Sequence, residues 1–257
     1  MTEDRMTSGH RGAGLAFKAA LAGGILALLA ALSLMGAGPA YRAGLLSLGD
    51  AFSMLRYGAF IALGAAGLGL VGLVIAAFTR RGLPALLGGL VILAGLVLVA
   101  VPWMQLQQAR TVPPIHDITT DMQDPPAFDA LAAAREAAPN AVDYPGETTA
   151  RQQREAYPDI QPRVIDAPLP EVLAAAEAET RDAGWEIVAV DDARLEATAT
   201  TTWFGFKDDV VIRLTETSDG VRVDMRSASR LGSSDVGTNA ARIRTFLDDL
   251  AQRLASR

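Results

Sequence analysis

The chain has 257 residues, of which 50% are hydrophobic, and a formal net charge of −6 at pH 7. It contains no cysteine, which excludes disulfide bonds, thiolate metal sites and cysteine nucleophiles. The charge is uneven, because residues 1–109 carry a net +4 and residues 110–257 a net −10. Acidity of this kind in the second part disfavours nucleic acid as a partner.

Three long apolar runs fill the first 103 residues, at 15–35, 57–78 and 83–101. A helix needs about 20 apolar residues to cross the hydrocarbon core of a bilayer. We therefore predict a three-helix transmembrane anchor over residues 1–109, rather than three buried helices of a soluble protein. Small residues repeat at helical spacing in the first two runs, which fits a tight bundle, a dimer seam or simply a Gly- and Ala-rich chain.

Lysine and arginine around these runs predict the orientation of the anchor. Five basic residues lie before or within the first run, or between the second and third runs: Arg5, Arg11, Lys18, Arg80 and Arg81. Only two, Arg42 and Arg56, lie in the loop between the first and second runs. The positive-inside rule then predicts a bacterial inner-membrane protein with a cytoplasmic N-terminus and a periplasmic C-terminal domain. Cleavage of the first run as a signal peptide would leave the domain on the same side.

Residues 110–167, which we call the arm, begin the expected soluble domain of residues 110–257. The arm is rich in proline and acids, which favours extended chain and turns. We expect one short helix near 127–138. Isoleucine, phenylalanine and tyrosine along the arm favour an ordered segment over a disordered tether.

Residues 168–257 predict an α+β core. Helical patterns lie at 170–183 and 236–254, and between them strands are expected at 185–190, 194–203, 209–217 and 221–227. Alternation gives the strands one apolar and one mostly polar face. We therefore predict a four-stranded antiparallel meander with helices packed on one face, which leaves the polar face to a partner or to the arm.

Several segments of this half are similar in sequence and order to a known family. They are HDITTDMQDPPAF, YPDIQP, GWEIV, TTWFGFKDDVVIRL and VDMRSASRLGSSDVGTNAARIRTFL. Together they resemble the family called domain of unknown function 1499, over about residues 112–250. The resemblance implies bacterial or plastid-associated relatives, some with N-terminal membrane spans. It implies no activity and no catalytic residues.

The densest polar stretch leads from the last strand to the last helix and forms the first candidate site. An anion or lipid headgroup could bind there, on the N–H groups at the helix start and on two arginines. The residues are Arg226, Arg230, Ser233, Ser234, Asp235 and Asn239. The alternative is structural, with Ser234 or Asp235 capping the helix and the arginines paired with nearby acids.

A second candidate cluster surrounds the histidine of the soluble half and comprises His116, Asp117, Asp208, Asp209 and Arg213. A histidine with acids can orient a base or ligate a metal. No second histidine lies nearby and no Gly-x-Ser-x-Gly motif exists, so a local turn is favoured. We predict no catalytic residue, no metal site and no cofactor.

These observations leave three functional hypotheses. The favoured one is a non-enzymatic binding or assembly module displayed in the periplasm. Its expected partners are the lipid bilayer and another membrane or periplasmic protein, and not nucleic acid. The alternatives are a periplasmic hydrolase or metal-dependent enzyme using His116 and nearby acids, and a binder of small anions or lipid headgroups at the 226–235 turn.

Overall fold

The computed structural model describes the backbone of residues 3–256 and the side chains of residues 14–256. The chain divides into two compact units, Met1–Gln107 and Gln108–Arg257. Three long helices dominate the first unit: α1 (Glu3–Arg42), α2 (Leu48–Phe78) and α3 (Gly82–Thr111). The side chains of Arg5 and Arg11, which contribute to the predicted orientation, lie outside the described residues.

All three helices are long and apolar enough to cross a membrane, over Gly14–Arg42, Leu48–Phe78 and Gly82–Thr111. Small residues allow the helices to approach each other closely. A Cβ built on Gly88 of α3 would lie 2.7 Å from the carbonyl oxygen of Gly69 in α2, and one on Gly95 would lie 2.7 Å from that of Ala62. Such contacts between backbones favour helix association where lipid removes the hydrophobic driving force.

The second unit is an α+β domain. Its elements in chain order are β1 (Asp117–Thr119), α4 (Ala132–Glu136), α5 (Glu147–Ala156), β2 (Arg163–Ile165), α6 (Leu169–Asp182), β3 (Glu186–Asp191), β4 (Arg194–Thr200), β5 (Lys207–Thr217), β6 (Gly220–Ser229) and α7 (Thr238–Ala255). The helices and strands expected from residue 168 onward are therefore present, with ends that differ by a few residues.

The sheet has six antiparallel strands, so the prediction of four is wrong. Strands β3 to β6 form the expected meander, in the order β6-β5-β4-β3. The two further strands come from the arm, and both pair with the outer edge of β6. Strand β1 pairs with residues 226–228 of β6, and β2 pairs with residues 221–223. Each has only three residues, too few for alternation to identify it.

The apolar face of the sheet forms the main core under α6 and α7. Side chains that alternate along the strands meet the apolar stripes of the two helices there. The fully buried members include Ile118, Leu195, Val210, Ile212, Val223, Met225, Ile243 and Leu250.

The arm is not an extended segment, which corrects the second part of the fold prediction. Besides β1 and β2 it contains α4 and α5, and its middle part covers the polar face of the sheet. Phe128 and Leu131 pack there on Val211 and Ala228. Helix α4 therefore lies on the opposite face from α6 and α7, and the polar face is buried.

Charged side chains fix the arm to this face. Arg226 of β6 donates to both carboxylate oxygens of Asp117, at 3.0 and 2.7 Å. Arg135 of α4 donates to Asp209 of β5 at 3.1 Å. Both guanidinium groups contact the ring of Phe128, because their central carbons are 4.6 and 4.7 Å from its centroid. All these groups are buried, so the arm closes a second, partly ionic core.

Two further side chains take the place of backbone partners. A carboxylate oxygen of Glu196 accepts the N–H of Asp129 at 2.8 Å, and the other accepts that of Leu131 at 2.9 Å. The amide of Gln153 in α5 bonds both backbone groups of Thr119, accepting its N–H at 3.1 Å and donating to its carbonyl at 2.6 Å. Gln153 thus extends the hydrogen bonding of β1 as a neighbouring strand would.

Gly220 shows why the turn before β6 requires glycine. Its φ of +125° is one that other residues rarely adopt. A Cβ at this position would also lie 2.2 Å from the carbonyl oxygen of Ile165. The close approach allows β2 to pair with the start of β6.

Candidate functional site

An open cleft of about 490 Å³ lies where the arm meets the end of β6. Five polar side chains line it: His116, Asn140, Thr149, Gln152 and Ser233. Pro114, Ile115 and Pro145 supply apolar surface. Among residues 14–256, no carboxylate, lysine or arginine belongs to its lining.

Hydrogen bonds to backbone carbonyls hold the walls of the cleft. The carbonyl of His116 accepts the N–H of Ser229 at 2.9 Å and the amide of Asn239 at 2.9 Å. Across the cleft, the amide of Asn140 donates to the carbonyls of Ser229 and Gly232, both at 2.9 Å. Because these segments are fixed on the sheet and on α7, the cleft is formed before any ligand arrives.

The imidazole of His116 has one polar atom without a partner. Its Nδ1 is buried and makes no hydrogen bond to the part of the protein that the structure describes. Because this atom has almost no accessible surface, a molecule in the cleft cannot reach it unless neighbouring groups move.

The two arginines of the first predicted site point away from the cleft, to the arm side of the sheet. Arg226 is engaged by Asp117 and by the carbonyls of Pro126 and Val142, at 3.2 and 2.9 Å. Arg230 binds Asp209 through two hydrogen bonds of 2.8 Å. An anion would have to displace these carboxylates from both arginines.

The remaining residues of that site lie between the cleft and α7. Asp235 accepts the N–H of Gly237 at 2.9 Å and that of Asn239 at 2.6 Å, so its carboxylate occupies the start of α7. Burial raises the pKa of Asp235 above its ordinary value, the two N–H groups lower it, and Asp208 raises it further. Ser234 accepts the N–H of Val236 at 3.2 Å, and Ser233 lines the cleft.

The second predicted cluster is split between the two faces of the sheet. Consecutive residues on a strand point to opposite sides, so Asp208 meets Arg242 of α7 at 2.7 Å while Asp209 meets the arm. Arg213 lies on the arm side and donates to Asp124 at 2.7 Å. Asp117 is held by Arg226 on that side too. None of these four residues lines the cleft with His116.

Sequence reasoning missed the other polar residues of the cleft. Asn140, Thr149 and Gln152 come from the arm and from α5, which carried no recognisable motif. Their shared location depends on the pairing of β1 with β6, more than 100 residues apart. Within residues 14–256, no group of three His, Asp or Glu side chains is placed to hold a metal ion.

The family model described as "Protein of unknown function (DUF1499)" matches residues 117–250, over half of the chain. The chain belongs to the DUF1499 family. The match begins with β1 and ends in α7, so it includes the six strands but none of the three apolar helices. Pro114, Ile115 and His116 of the cleft lie just before the matched residues. The resemblance found in the sequence is therefore confirmed.

The other proteins compared with this DUF1499 protein indicate no biochemical activity for it. No curated protein matches it. Among solved structures it is similar to the crystal structure of CalU16 from Micromonospora echinospora, at 18% sequence identity and a TM-score of 0.26. That similarity covers 37% of this chain and 76% of CalU16.

Proposed function

We propose that this DUF1499 protein is a bacterial inner-membrane protein that displays its α+β unit in the periplasm as a binding or assembly module. The observation that carries the proposal is the presence of three span-length apolar helices before a separately packed domain. Three crossings are an odd number, so the domain lies on the opposite side of the membrane from the N-terminus.

The three helices need an apolar environment on their outer surfaces. Large side chains remain exposed along each of them, including Leu28 at 61%, Phe60 at 61% and Leu93 at 59%. Exposed apolar surface of this extent is rare on water-soluble proteins and typical of lipid-facing helices. The distribution of lysine and arginine supports a cytoplasmic N-terminus.

The geometry of the domain favours binding over catalysis. The acids of the second predicted cluster are engaged in ion pairs with Arg135, Arg226, Arg230 and Arg242. The cleft offers neutral donors and acceptors instead. The proposed partners are the bilayer and another membrane or periplasmic protein, whereas the net charge of −10 on residues 110–257 disfavours nucleic acid.

One observation supports a hydrolase as a second candidate, because His116 and Ser233 line the same cleft. A serine nucleophile needs a base within hydrogen-bond reach. Labelling with a fluorophosphonate probe would detect an activated Ser233. Labelling that is lost in both Ser233→Ala and His116→Ala would favour the enzyme over the binding module.

Fusion reporters test the location of the domain. Alkaline phosphatase, active only outside the cytoplasm, and green fluorescent protein, fluorescent only inside, are fused after Leu46, Arg81 and Arg257. We expect phosphatase activity at Leu46 and Arg257 and fluorescence at Arg81. Fluorescence at Arg257 with no phosphatase activity there would overturn the proposed topology.

A further inference from the structure

We propose that the loop between β4 and β5, residues 201–206, contacts the interface of the lipid bilayer, and that the indole of Trp203 is the group that enters it. We call this segment the aromatic loop. The proposal names a lipid-contacting surface of the module proposed above and rests on its anchorage by membrane-spanning helices. It holds for either side of the membrane.

The aromatic loop carries three aromatic residues that pack on one another. The rings of Phe204 and Phe206 are stacked with centroids 5.0 Å apart, and the ring of Trp203 meets Phe204 edge-on at 5.1 Å. Phe204 is buried, whereas Trp203 is 42% exposed. Among residues 108–256, Trp203 is the only aromatic side chain that remains exposed. The two phenylalanine rings therefore support a tryptophan that reaches the surface.

Hydrogen bonds within the aromatic loop hold it in one conformation. The N–H of Thr201 donates to the carbonyl of Phe206 at 2.8 Å, and the hydroxyl of Thr201 accepts the N–H of Phe206 at 2.8 Å. The N–H of Gly205 donates to the carbonyl of Thr201 at 2.9 Å. Because the turn is already ordered, a contact made through Trp203 costs little conformational entropy.

The charges around the aromatic loop favour a lipid surface over water. Residues 197–206 have no charged side chain, although residues 110–257 carry a net −10. Lys207 follows directly and is exposed. An indole has an apolar ring and a polar N–H, and both tryptophan and lysine are common at the level of lipid headgroups. One exposed indole beside an ammonium group therefore predicts a shallow contact at that level.

The pairing of the strands places the aromatic loop at the end of the sheet where the chain enters the domain. Asp117 at the start of β1 pairs with Ala228, which pairs with Asp209, which in turn pairs with Thr198 near the end of β4. Only residues 112–116 separate β1 from the end of α3. Fully extended, this connection reaches roughly 20 Å. The tether from the membrane is thus attached at the end of the sheet that carries Trp203.

Three single-tryptophan variants of the full-length protein test the contact in proteoliposomes. One retains Trp203 and one retains Trp103 of α3, which reports the membrane anchor. In the third, all native tryptophans are replaced by phenylalanine and Ser218→Trp puts the indole in the β5–β6 turn. Ser218 is exposed and lies at the other end of β5, whose 11 residues span about 35 Å. The bilayers contain phosphatidylcholine brominated either near the headgroup or near the ends of its acyl chains, because bromine quenches tryptophan at short range.

We expect the lipid brominated near the headgroup to quench Trp203 more strongly than the lipid brominated deep in the bilayer, and neither to quench the indole at position 218. Acrylamide, a quencher in the water phase, should show the opposite preference between these two positions. Comparison of the wild type with Trp203→Phe gives a second readout in which Trp185 is kept. The variant should lose part of the quenching by the lipid brominated near the headgroup.

Three results at Trp203 would overturn the proposal. Quenching by acrylamide without quenching by brominated lipid would show that the indole faces water. Protection from both quenchers would show that protein covers it. Equal quenching by lipid at positions 203 and 218 would show that the contact is not specific to this end of the sheet. Absence of lipid quenching at Trp103 would instead contradict the membrane anchor, and the loop contact would fall with it.

Discussion

At the scale of single residues, the buried Arg226–Asp117 pair is expected to have a large effect on stability. Arg226 is 2% and Asp117 1% exposed, and two hydrogen bonds join them. Removing one member of a buried pair leaves the other charge without a partner, which costs far more than losing a pair on the surface. The packing of the arm on the sheet therefore depends on this ion pair, because water cannot reach either charge if its partner is removed.

Arg226→Met should lower the free energy of unfolding by about 3–5 kcal/mol. Urea unfolding in detergent can be followed by the fluorescence of Trp185, which stacks on Phe246 at 5.3 Å, with Trp103 and Trp203 replaced by phenylalanine. Arg163→Met breaks the exposed pair with Asp248 and should cost at most about 1 kcal/mol. Equal losses in the two variants would contradict this ranking.

Asp235 gives stability a pH dependence of known sign. Since its pKa is raised above 3.8 in the folded state, the folded protein binds this proton more tightly than the unfolded chain. The contribution of Asp235 to stability therefore falls as pH rises from its ordinary pKa through the raised one. The main cause is burial, and Asp208 adds to it.

Comparison with Asp235→Asn isolates this effect. The free energy of unfolding of the wild type minus that of the variant should decline as pH rises from about 3.8, then level off once Asp235 is ionised in both states. Urea unfolding at a series of pH values measures the difference. A difference that grows over the same range would show that the sign is wrong.

At the scale of elements, Gly88 of α3 lies in the contact with α2, whereas its neighbour Gly89 does not. A Cβ at Gly88 would meet the Gly69 carbonyl oxygen at 2.7 Å and the Leu73 nitrogen at 2.8 Å. A Cβ at Gly89 would have no atom within 4 Å. The two positions are adjacent in sequence, yet only one lies in the helix interface.

Gly88→Val should therefore separate the helices and destabilise the first unit by about 1–3 kcal/mol, whereas Gly89→Val should have little effect. Both variants carry the same side chain in the same helix, so the change in helix propensity is matched. Size-exclusion chromatography after heating in detergent measures the fraction that stays monodisperse. Similar losses in both variants would indicate that propensity, not packing, is responsible.

The elements differ in how well the sequence predicts them. Strands β3 to β6 and helices α6 and α7 have enough alternating or periodic apolar residues to be recognised. Strands β1 and β2 have three residues each, and their pairing is determined by β6 far along the chain. The cleft could not be predicted for the same reason, because Gln152 and Ser233 meet only after β1 and β2 have paired.

At the scale of the whole molecule, the chain consists of two units with separate packing. The second unit contains both of its cores, on the two faces of one sheet. The first consists of the three helices that are apolar enough to cross a membrane. Each unit therefore has its own source of stability, and the two can be tested apart.

A fragment comprising residues 108–257 should fold in water without the helices. We expect far-UV circular dichroism of an α+β protein and cooperative unfolding, with the same urea midpoint as Trp185 reports in the full-length chain. A fragment that aggregates, or that unfolds without cooperativity, would show that the second unit needs the first.

The ion pair between Asp117 and Arg226 joins residues that are 109 positions apart. During synthesis the ribosome releases the carboxylate long before its guanidinium partner exists, and Arg135 likewise precedes Asp209 by 74 positions. A nascent polypeptide interrupted before β6 would keep these charges and Phe128 open to solvent. Incomplete copies of the protein would thus expose this apolar and charged stretch to proteases, whereas a complete copy buries it.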